Sequence, residues 1–447
     1  MKTKIIICII ITMLLVTFTG CIEEETIDKE RKTIEISNEF LGYLSQKDFE
    51  TSFTYFSYEL KNALPLDDFE DTWNIITNTY GDFISVVNIS YSYEDGYDIV
   101  RLNCTFDKGY IILLRFVFDT DEKISGFWAD DFKPINSYIE PDYANIESFS
   151  EYDVQVGSEW ELPATISIPN GQATYPAIIL IHGSGPNDKD ETIGANKPFK
   201  DIAWGLATKG FIVLRYDKRT KIYPEEIASD KNFTPKEEVI DDAIEAVKLL
   251  QNYEEVDQSN IYILGHSFGA MLAPKIATLN DNISGAILLA SPARPLEDLI
   301  YNQTKYLAEL DGNIDEDEQA AIDIIKGVKD KIKKLNITDD EVVLSIYKPY
   351  WEYLHNYDQV QVTDDLEIPI LLCQGKRDYQ VTYEDDFAIW NETLIDNVNV
   401  NLNTYESLNH LFISGEGTPT NTEYMIAGHV SEDVIDDIFN WINEMLQ

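Results

Sequence analysis

The pentapeptide Gly-His-Ser-Phe-Gly, centred on Ser267, is the stretch whose residue types could most directly do chemistry. Four apolar, β-prone residues precede it at 261–264, and a helix-forming run follows it at 270–279. A strand, a tight turn and a helix would expose the Ser267 hydroxyl as a nucleophile. Glycine is required at positions 265 and 269 for a steric reason, because a Cβ at either position would clash with the strand or the helix.

A serine nucleophile needs a base, and the base needs an acid that orients it. Residues 368–375 predict a buried strand, and Asp378 lies just beyond its end. Residues 400–405 predict the next strand, and His410 follows it. Asp378 is therefore the expected acid and His410 the expected base. His429 is the alternative base, should that last strand prediction be wrong.

The other histidines and acids near these motifs have plainer interpretations. His182 is expected to brace a loop rather than act as a base, and His266 is expected to pack beside the nucleophile. His355 falls in a predicted helical insertion. Asp385 and Asp386 belong to the helix after the acid, so we expect both carboxylates to be solvated.

A third motif lies upstream, where the apolar residues 177–181 predict a strand that ends in His-Gly-Ser-Gly-Pro. Together, and in this order, these motifs resemble the α/β-hydrolase superfamily, and within it the esterase and dienelactone-hydrolase-like branch. The resemblance covers residues 150–447. It implies an α/β-hydrolase fold with a mostly parallel, doubly wound sheet. The alternation of buried strands and helices along this part of the chain favours the same fold.

The resemblance implies a serine esterase that cleaves carboxylic esters through an acyl-enzyme intermediate. In that mechanism Ser267 attacks the carbonyl, His410 moves the proton and Asp378 holds the imidazole. The backbone N–H groups of Ser184 and Phe268 would form the oxyanion hole. The same triad would serve a thioesterase or a prolyl-oligopeptidase-like peptidase. A tethered binding or sensor protein that has lost activity is the alternative from a different class.

The composition limits the partners of the protein. Its 447 residues are too many for one ordinary domain, and 80 acidic against 34 basic residues give a formal net charge of −46. Such a surface repels nucleic acid and anionic lipid headgroups, so the expected partner is a small-molecule ester and not nucleic acid. The charge fits high solubility, either as an adaptation to salt or as simple lineage composition. The sequence makes no prediction of an oligomeric state.

No cofactor or metal is expected from the sequence. It contains neither a Gly-x-Gly-x-x-Gly dinucleotide loop nor cysteines and histidines at metal-ligand spacing. Cys104 and Cys373 fall inside predicted strands of different domains. We therefore expect them to be buried thiols rather than a disulfide.

The N-terminus has the pattern of a signal peptide, with a short basic start, an apolar run at 5–18 and small residues before Cys21. The small residues and the cysteine resemble a lipoprotein cleavage box, in which Cys21 would become the lipidated first residue. The alternative is an uncleaved anchor helix. Both predict an exported protein that is tethered to the outer face of the cytoplasmic membrane and touches the membrane only there.

The sequence divides into a signal peptide with its lipobox at 1–21, an α+β domain at 22–140, a linker at 141–150 and the hydrolase domain at 151–447. In the α+β domain, helical patterns precede a β-meander. This smaller N-terminal domain resembles the nuclear-transport-factor-like and cystatin-like domains, and it shows no catalytic constellation.

Residues 292–366 interrupt the alternation of strands and helices in the hydrolase domain. Three helices are predicted there, with no strand among them, at 296–310, 315–335 and 339–357. The insertion falls between the nucleophile and the acid, after the carboxyl end of a strand. We therefore expect a helical cap whose aromatic and aliphatic side chains roof the substrate pocket rather than build the core.

Overall fold

The computed structural model describes residues 22–94, 96–134, 138–310 and 312–446. The predicted signal peptide at 1–21, including Cys21, lies outside the described residues. The chain divides into two compact units between Ile139 and Glu140. Within the described ranges, no helix combines the length and the apolar character needed to cross a membrane.

The first unit is an α+β domain in which helices precede a four-stranded antiparallel meander, which confirms the predicted fold class. Its helices are α1 (Ile22–Ser45), α2 (Phe49–Phe53), α3 (Tyr58–Ala63) and α4 (Leu66–Tyr80). Its strands are β1 (Phe83–Glu94), β2 (Tyr97–Phe106), β3 (Tyr110–Phe118) and β4 (Ile124–Pro134), which pair in that order.

The core of this unit follows from the periodicity of its elements. Residues along β3 are alternately buried and half-buried, because successive side chains of a strand point to opposite faces. Phe69, Trp73 and Ile76 form the buried side of α4, as their spacing predicts. These helix and strand residues join one core that is dominated by aromatic rings.

The second unit is built on an eight-stranded sheet in the order β14-β13-β10-β9-β7-β8-β6-β5. The strands are β5 (Phe149–Val156), β6 (Leu162–Pro169), β7 (Tyr175–Ile181), β8 (Ile212–Tyr216), β9 (Val256–His266), β10 (Ile283–Leu289), β11 (Val342–Val343), β12 (Ile346–Tyr347), β13 (Ile370–Gly375) and β14 (Val400–Tyr405). Strands β11 and β12 pair only with each other. Six strands of the large sheet run parallel to one another, namely β7, β8, β9, β10, β13 and β14. Strand β6 is antiparallel to both of its neighbours, β5 and β8.

Helices cover both faces of this sheet, which confirms the doubly wound prediction. They are α5 (Pro198–Thr208), α6 (Arg219–Ile222), α7 (Pro224–Ser229), α8 (Asp241–Leu250), α9 (Phe268–Ala277), α10 (Leu296–Glu309), α11 (Glu316–Lys333), α12 (Lys348–His355), α13 (Gln359–Asp364), α14 (Ala388–Leu394) and α15 (Glu432–Met445). Helices α8, α9 and α14 pack on one face, and α5 and α15 pack on the other. Along β7, Ile178 and Ile179 contribute to opposite faces, so a parallel strand buried on both sides is apolar throughout.

Part of the segment predicted as a linker at 141–150 packs on the second unit. The Tyr143 hydroxyl donates to the carbonyl of Val430 at 2.8 Å, and the Asn145 N–H donates to the Thr208 hydroxyl at 2.9 Å. Strand β5 then begins at Phe149.

The insertion at 292–366 is less helical than predicted. Helices α10 and α11 agree with the prediction, but the third predicted helix, at 339–357, is replaced by the β11–β12 hairpin and the shorter helix α12, and a further short helix, α13, follows. The hairpin turns at Leu344 and Ser345, whose φ angles of 51° and 64° suit a two-residue turn. Such turns usually contain Asn or Gly, so Leu and Ser at these positions do not predict a hairpin turn.

The expectation that the insertion only roofs the pocket was also partly wrong. The α12 residues Tyr350, Trp351 and Leu354 are buried and continuous with the core that covers α8 and α9. The Tyr357 hydroxyl donates to the Met271 carbonyl of α9 at 2.8 Å. The second half of the insertion is therefore part of the hydrolase core.

Candidate active site

Ser267 lies at the sharp turn between β9 and α9. Its backbone has φ 52° and ψ −117°, which a residue with a side chain adopts only under strain. The two flanking glycines permit the turn. A Cβ on Gly265 would lie 2.5 Å from the Ala270 nitrogen, and a Cβ on Gly269 would lie 2.2 Å from the Ile181 oxygen. Both positions exclude every other residue, as the sequence indicated.

The two residues expected as acid and base are in direct contact. His410 Nδ1 lies 2.7 Å from Asp378 Oδ2, and both residues are buried. Asp378 Oδ1 accepts the backbone N–H groups of Gln380 at 2.8 Å and Val381 at 3.0 Å, so the carboxylate is held from both sides. An Nδ1 that donates to a carboxylate leaves Nε2 with a lone pair, which is the state that a general base requires.

A single cavity of about 580 Å³ brings the predicted residues together. Its lining includes Ser267 and His410 as well as Ser184 and Phe268, the two expected oxyanion-hole residues. Phe268 is the first residue of α9, where backbone N–H groups have no partner within the helix. A Cβ on Gly183 would lie 3.2 Å from Ser267 Cβ, which shows how closely the His-Gly loop approaches the serine.

Comparisons with known proteins identify the family of the chain. Residues 177–416 match a family described as serine aminopeptidase, S33. Esterase EstD from Thermotoga maritima is 40% identical over 407 residues, which cover 90% of this chain and 93% of that protein. The chain belongs to the α/β-hydrolases. Residues 37–127 of this hydrolase match a second family, described as a protein of unknown function, DUF3887.

Two solved structures extend the comparison. Est1E from Butyrivibrio proteoclasticus is 17% identical to this hydrolase and covers 65% of it and 99% of its own chain, with a TM-score of 0.43. The Pyrococcus furiosus esterase Pf2001 is also 17% identical and covers 70% of this chain and 96% of its own, with a TM-score of 0.42.

Three of the other histidines, His182, His355 and His429, lie outside the lining of the cavity that contains Ser267 and His410. His182 Nε2 lies 3.0 Å from the Asp188 carbonyl, and burial lowers the pKa of the His182 imidazole to about 4. It is a neutral brace of its loop, as predicted. His429 lies outside the cavity lining, and its Nδ1 contacts Asp201 Oδ1 at 3.1 Å. His355 borders a separate cavity of about 320 Å³.

The prediction that both acids after Asp378 are solvated was wrong for Asp386. This carboxylate is fully buried, accepts the Ala293 N–H at 3.1 Å and contacts Arg294 Nη2 at 2.6 Å. Asp385 is half-exposed, and its Oδ2 lies 2.8 Å from Arg294 Nη1. Arg294 begins the insertion, so the unforeseen ion pair fastens the insertion to the segment that follows the acid.

A buried charged network beside the serine was missed in the sequence. Lys218 Nζ donates to the carbonyl of Gly183 at 2.7 Å and contacts Glu238 Oε1 at 2.6 Å. The Tyr350 hydroxyl donates to Glu238 Oε2 at 2.7 Å, and burial raises the pKa of Tyr350 well above its ordinary value. The position of Lys218 just after β8 was an available signal, because sites gather at the carboxyl ends of parallel strands.

Lys218 also helps to fix the orientation of the peptide group between Gly183 and Ser184. The structure contains no cis peptide among the described residues, so the Gly183 carbonyl and the Ser184 N–H point in opposite directions. With the carbonyl held by Lys218, the Ser184 N–H is turned away from the ammonium group.

The insertion supplies about half of the apolar residues in the cavity wall. Leu296, Leu299 and Ile300 come from α10 and its start, Ile346 comes from the hairpin and Trp351 comes from α12. Across the ranges that the structure covers, no group of three or more His, Cys, Asp or Glu side chains is arranged to hold a metal ion.

Proposed function

We propose that this hydrolase cleaves carboxylic esters of small or medium size through a covalent acyl-enzyme. The observation that carries the proposal is the meeting of Ser267, on its strained turn, with the Asp378-bound imidazole of His410 in one cavity. A curated relative named as an esterase, which matches nearly the whole of both chains, supports the ester as substrate.

The chemistry assigns one task to each group. Ser267 Oγ attacks the ester carbonyl while His410 Nε2 takes its proton, and Asp378 stabilises the imidazolium that forms. The oxyanion accepts hydrogen bonds from the N–H groups of Ser184 and Phe268. Collapse of the tetrahedral intermediate breaks the ester bond, and His410 gives its proton to the leaving alcohol. Water then attacks the acyl-enzyme by the same route and releases the acid.

The form of the cavity favours esters with an apolar acyl or alcohol group. A volume of about 580 Å³ accommodates a ligand of moderate size, and small-molecule sites are typically apolar with a few placed polar groups. A peptide substrate is the second candidate, because the matching family is described as a serine aminopeptidase. Hydrolysis rates for a p-nitrophenyl butyrate and for amino-acid p-nitroanilides separate the two.

The test combines turnover with active-site labelling. We expect hydrolysis of p-nitrophenyl butyrate and labelling by a fluorophosphonate, and we expect Ser267→Ala to abolish both, with a loss on the order of a millionfold. Ser345→Ala is the matched control, since Ser345 lines the same cavity but is not the proposed nucleophile. Labelling that persists in Ser267→Ala would contradict the proposal.

We also propose that the protein is exported and held at the outer face of the cytoplasmic membrane through lipid on Cys21. A single lipid chain anchors only weakly, so the proposal requires two or more chains on the processed cysteine. Cys21→Ser should then release the protein from the membrane fraction. Retention of that variant in the membrane would favour an uncleaved anchor helix instead.

A further inference from the structure

The peptide groups around Gly183 are held at both ends by buried charged side chains. Glu191 Oε1 accepts the Gly183 N–H at 2.7 Å, and Lys218 Nζ donates to the Gly183 carbonyl at 2.7 Å. Glu191 is only 1% exposed and adopts a φ of 51°, which is unusual for a residue with a side chain. Strain of this kind persists where the surrounding contacts require it.

The second oxygen of Glu191 faces the histidine that precedes the nucleophile. Glu191 Oε2 lies 2.9 Å from His266 Nδ1, at an angle outside that of a regular hydrogen bond. On the other side of the ring, His266 Nε2 lies 2.9 Å from the backbone carbonyl of His410. The centroids of the His266 and His410 imidazole rings lie 4.7 Å apart. The Glu191 carboxylate therefore connects the loop after β7 that contains Gly183 and Ser184, called the oxyanion loop below, with His266, which in turn contacts the backbone of His410.

The partners of His266 determine its protonation. The His410 carbonyl can only accept a hydrogen bond, so Nε2 of His266 must carry a proton. Nδ1 faces a carboxylate oxygen at 2.9 Å, where two lone pairs would repel each other unless a proton lies between them. A neutral imidazole has one N–H and cannot meet both demands, whereas an imidazolium has two.

The surrounding charges act in the same direction. Burial alone would lower the pKa of His266, but the Glu191 carboxylate outweighs it and raises that pKa, with a smaller contribution from Asp378. Burial alone would raise the pKa of Glu191, but the charge of His266 and the hydrogen bond from the Gly183 N–H lower it. Two further charged residues lie at this loop, namely Lys218, which contacts the Gly183 carbonyl, and Asp188, whose backbone carbonyl contacts His182 Nε2.

We propose that Glu191 and His266 form a buried carboxylate–imidazolium pair that positions the oxyanion loop and the catalytic base together. The inference rests on the proposed ester hydrolysis, because it assigns these two residues a role in that reaction. Neither residue touches the reacting atoms in this role. Glu191 holds the loop that carries the Ser184 N–H, and His266 holds the backbone of His410.

The pair has a defined pH range. The raised pKa of His266 means that its contribution to stability is complete below the ordinary value of 6.5 and is lost as the pH rises through the raised value. The lowered pKa of Glu191 means that its contribution is present above 4.5 and is lost as the pH falls through the lowered value. Positioning should therefore weaken on the alkaline side when His266 loses its proton.

Nitrogen NMR of the protein labelled with ¹⁵N-histidine tests the protonation state without any substrate. We expect an imidazolium signal at pH 7.5 that disappears in His266→Gln and changes to a neutral imidazole in Glu191→Gln. The chain has five histidines, so the signals can be assigned by single substitutions. A neutral His266 in the native protein would overturn the proposal, and this result does not depend on whether the protein hydrolyses esters.

Kinetics test the positioning role. Glu191→Gln keeps an acceptor for the Gly183 N–H, so we expect kcat to fall roughly tenfold, whereas Glu191→Ala removes both contacts and should cost roughly a hundredfold. KM should stay within about twofold of the native value, because the substrate does not bind to this pair.

Asp201→Asn is the matched control for these variants. Asp201 is also buried and also binds one imidazole, that of His429, and one backbone N–H, that of Val430, but it lies outside the cavity lining. We expect this variant to lose stability and keep its kcat. Equal losses of kcat in Glu191→Gln and Asp201→Asn, in proportion to their stability, would reduce the pair to a structural role and overturn the inference.

Discussion

The two units of the chain handle charge in opposite ways. In the first unit, the described residues include a single buried charged side chain, Asp98, and the core consists of apolar residues, many of them aromatic. In the second unit, buried charged residues cluster where the parallel strands end, and they include Glu191, Lys218, Glu238 and Asp378.

This difference shows where the chain accepts an energetic cost. A buried charge needs a partner and further hydrogen bonds, and a well-packed apolar core of the same volume is often as stable or more stable. The described interior of the first unit therefore carries little of this cost. The second unit keeps several of its buried charges, including Glu191 and Glu238, in the lining of the cavity that contains the serine, as expected of groups retained for a site. Substitutions at these charges should therefore impair activity, whereas substitutions in the aromatic core should impair stability alone.

The largest effect should come from the residues of the proposed triad. His410→Ala should abolish ester hydrolysis at neutral pH, and Asp378→Asn should reduce kcat by about 10⁴-fold, because the amide favours the wrong tautomer of the imidazole. His429→Ala is the control, since His429 binds Asp201 away from the cavity. Steady-state kinetics would refute the assignment if His410→Ala and His429→Ala lost activity equally.

A smaller loss should follow from Lys218→Met. Without the ammonium group the Gly183 carbonyl keeps only the longer hydrogen bond from Asn187 Nδ2, at 3.3 Å, so the Ser184 N–H is held less firmly and kcat should fall roughly ten- to a hundredfold. The affinity for a boronic acid, whose adduct mimics the oxyanion, should fall in parallel.

The variant also leaves the buried carboxylate of Glu238 without its cationic partner, which by itself costs roughly 3–5 kcal/mol of stability. The double variant Lys218→Met with Glu238→Gln removes that charge. If the double variant regained native kcat, the loss would reflect stability and not the orientation of the peptide.

A change of selectivity rather than of rate should follow from Leu299→Ala in the insertion. Leu299 is buried and lines the cavity, and each methylene in such a pocket is worth roughly 1–3 kcal/mol of discrimination. The kcat/KM ratio of octanoate to acetate esters should therefore fall about tenfold or more. Ile322→Ala is the control, because Ile322 is buried in α11 but does not line the cavity. An unchanged ratio in Leu299→Ala would remove this residue from the acyl pocket.

The smallest effect on activity should come from the aromatic core of the first unit. Phe69 is 1% exposed, and its ring centroid lies 5.0 Å from that of Phe56. Phe69→Ala should destabilise this unit by roughly 3–5 kcal/mol, measured by urea unfolding. Below the unfolding transition, kcat should match that of the native protein. A large loss of kcat in folded protein would show that the first unit takes part in the reaction.

The sequence predicted those features that depend on local pattern. Ser267 and Asp378 follow strongly apolar strands, and His410 follows the more polar strand β14, so the edge of the sheet on which they meet could be deduced from the order of strands and helices alone. Lys218 and Glu238 could not be paired in this way, because they lie 20 positions apart and no motif connects them. Their contact depends on how the helical segment Lys236–Ile240, which precedes α8 and contains Glu238, packs on the sheet.

The structure of the insertion was predicted wrongly for a different physical reason. Its hairpin depends on two positive φ angles at Leu344 and Ser345, residue types that carry no preference for such angles. The burial of Asp386 was missed because its partner, Arg294, lies 92 positions away. Both errors concern long-range packing that overrides local preference.

The fluorescence of Trp351 should report whether the cavity is occupied. Its indole lies in the cavity wall, and its Nε1 donates to the Val343 carbonyl at 3.3 Å, so the ring is fixed beside the space that an acyl chain would fill. Indole emission depends on the polarity of its surroundings, so replacing water with an acyl chain should move the emission maximum to shorter wavelength. Trp351→Phe should remove that shift, which would allow occupancy of the site to be followed by fluorescence without a chromogenic ester.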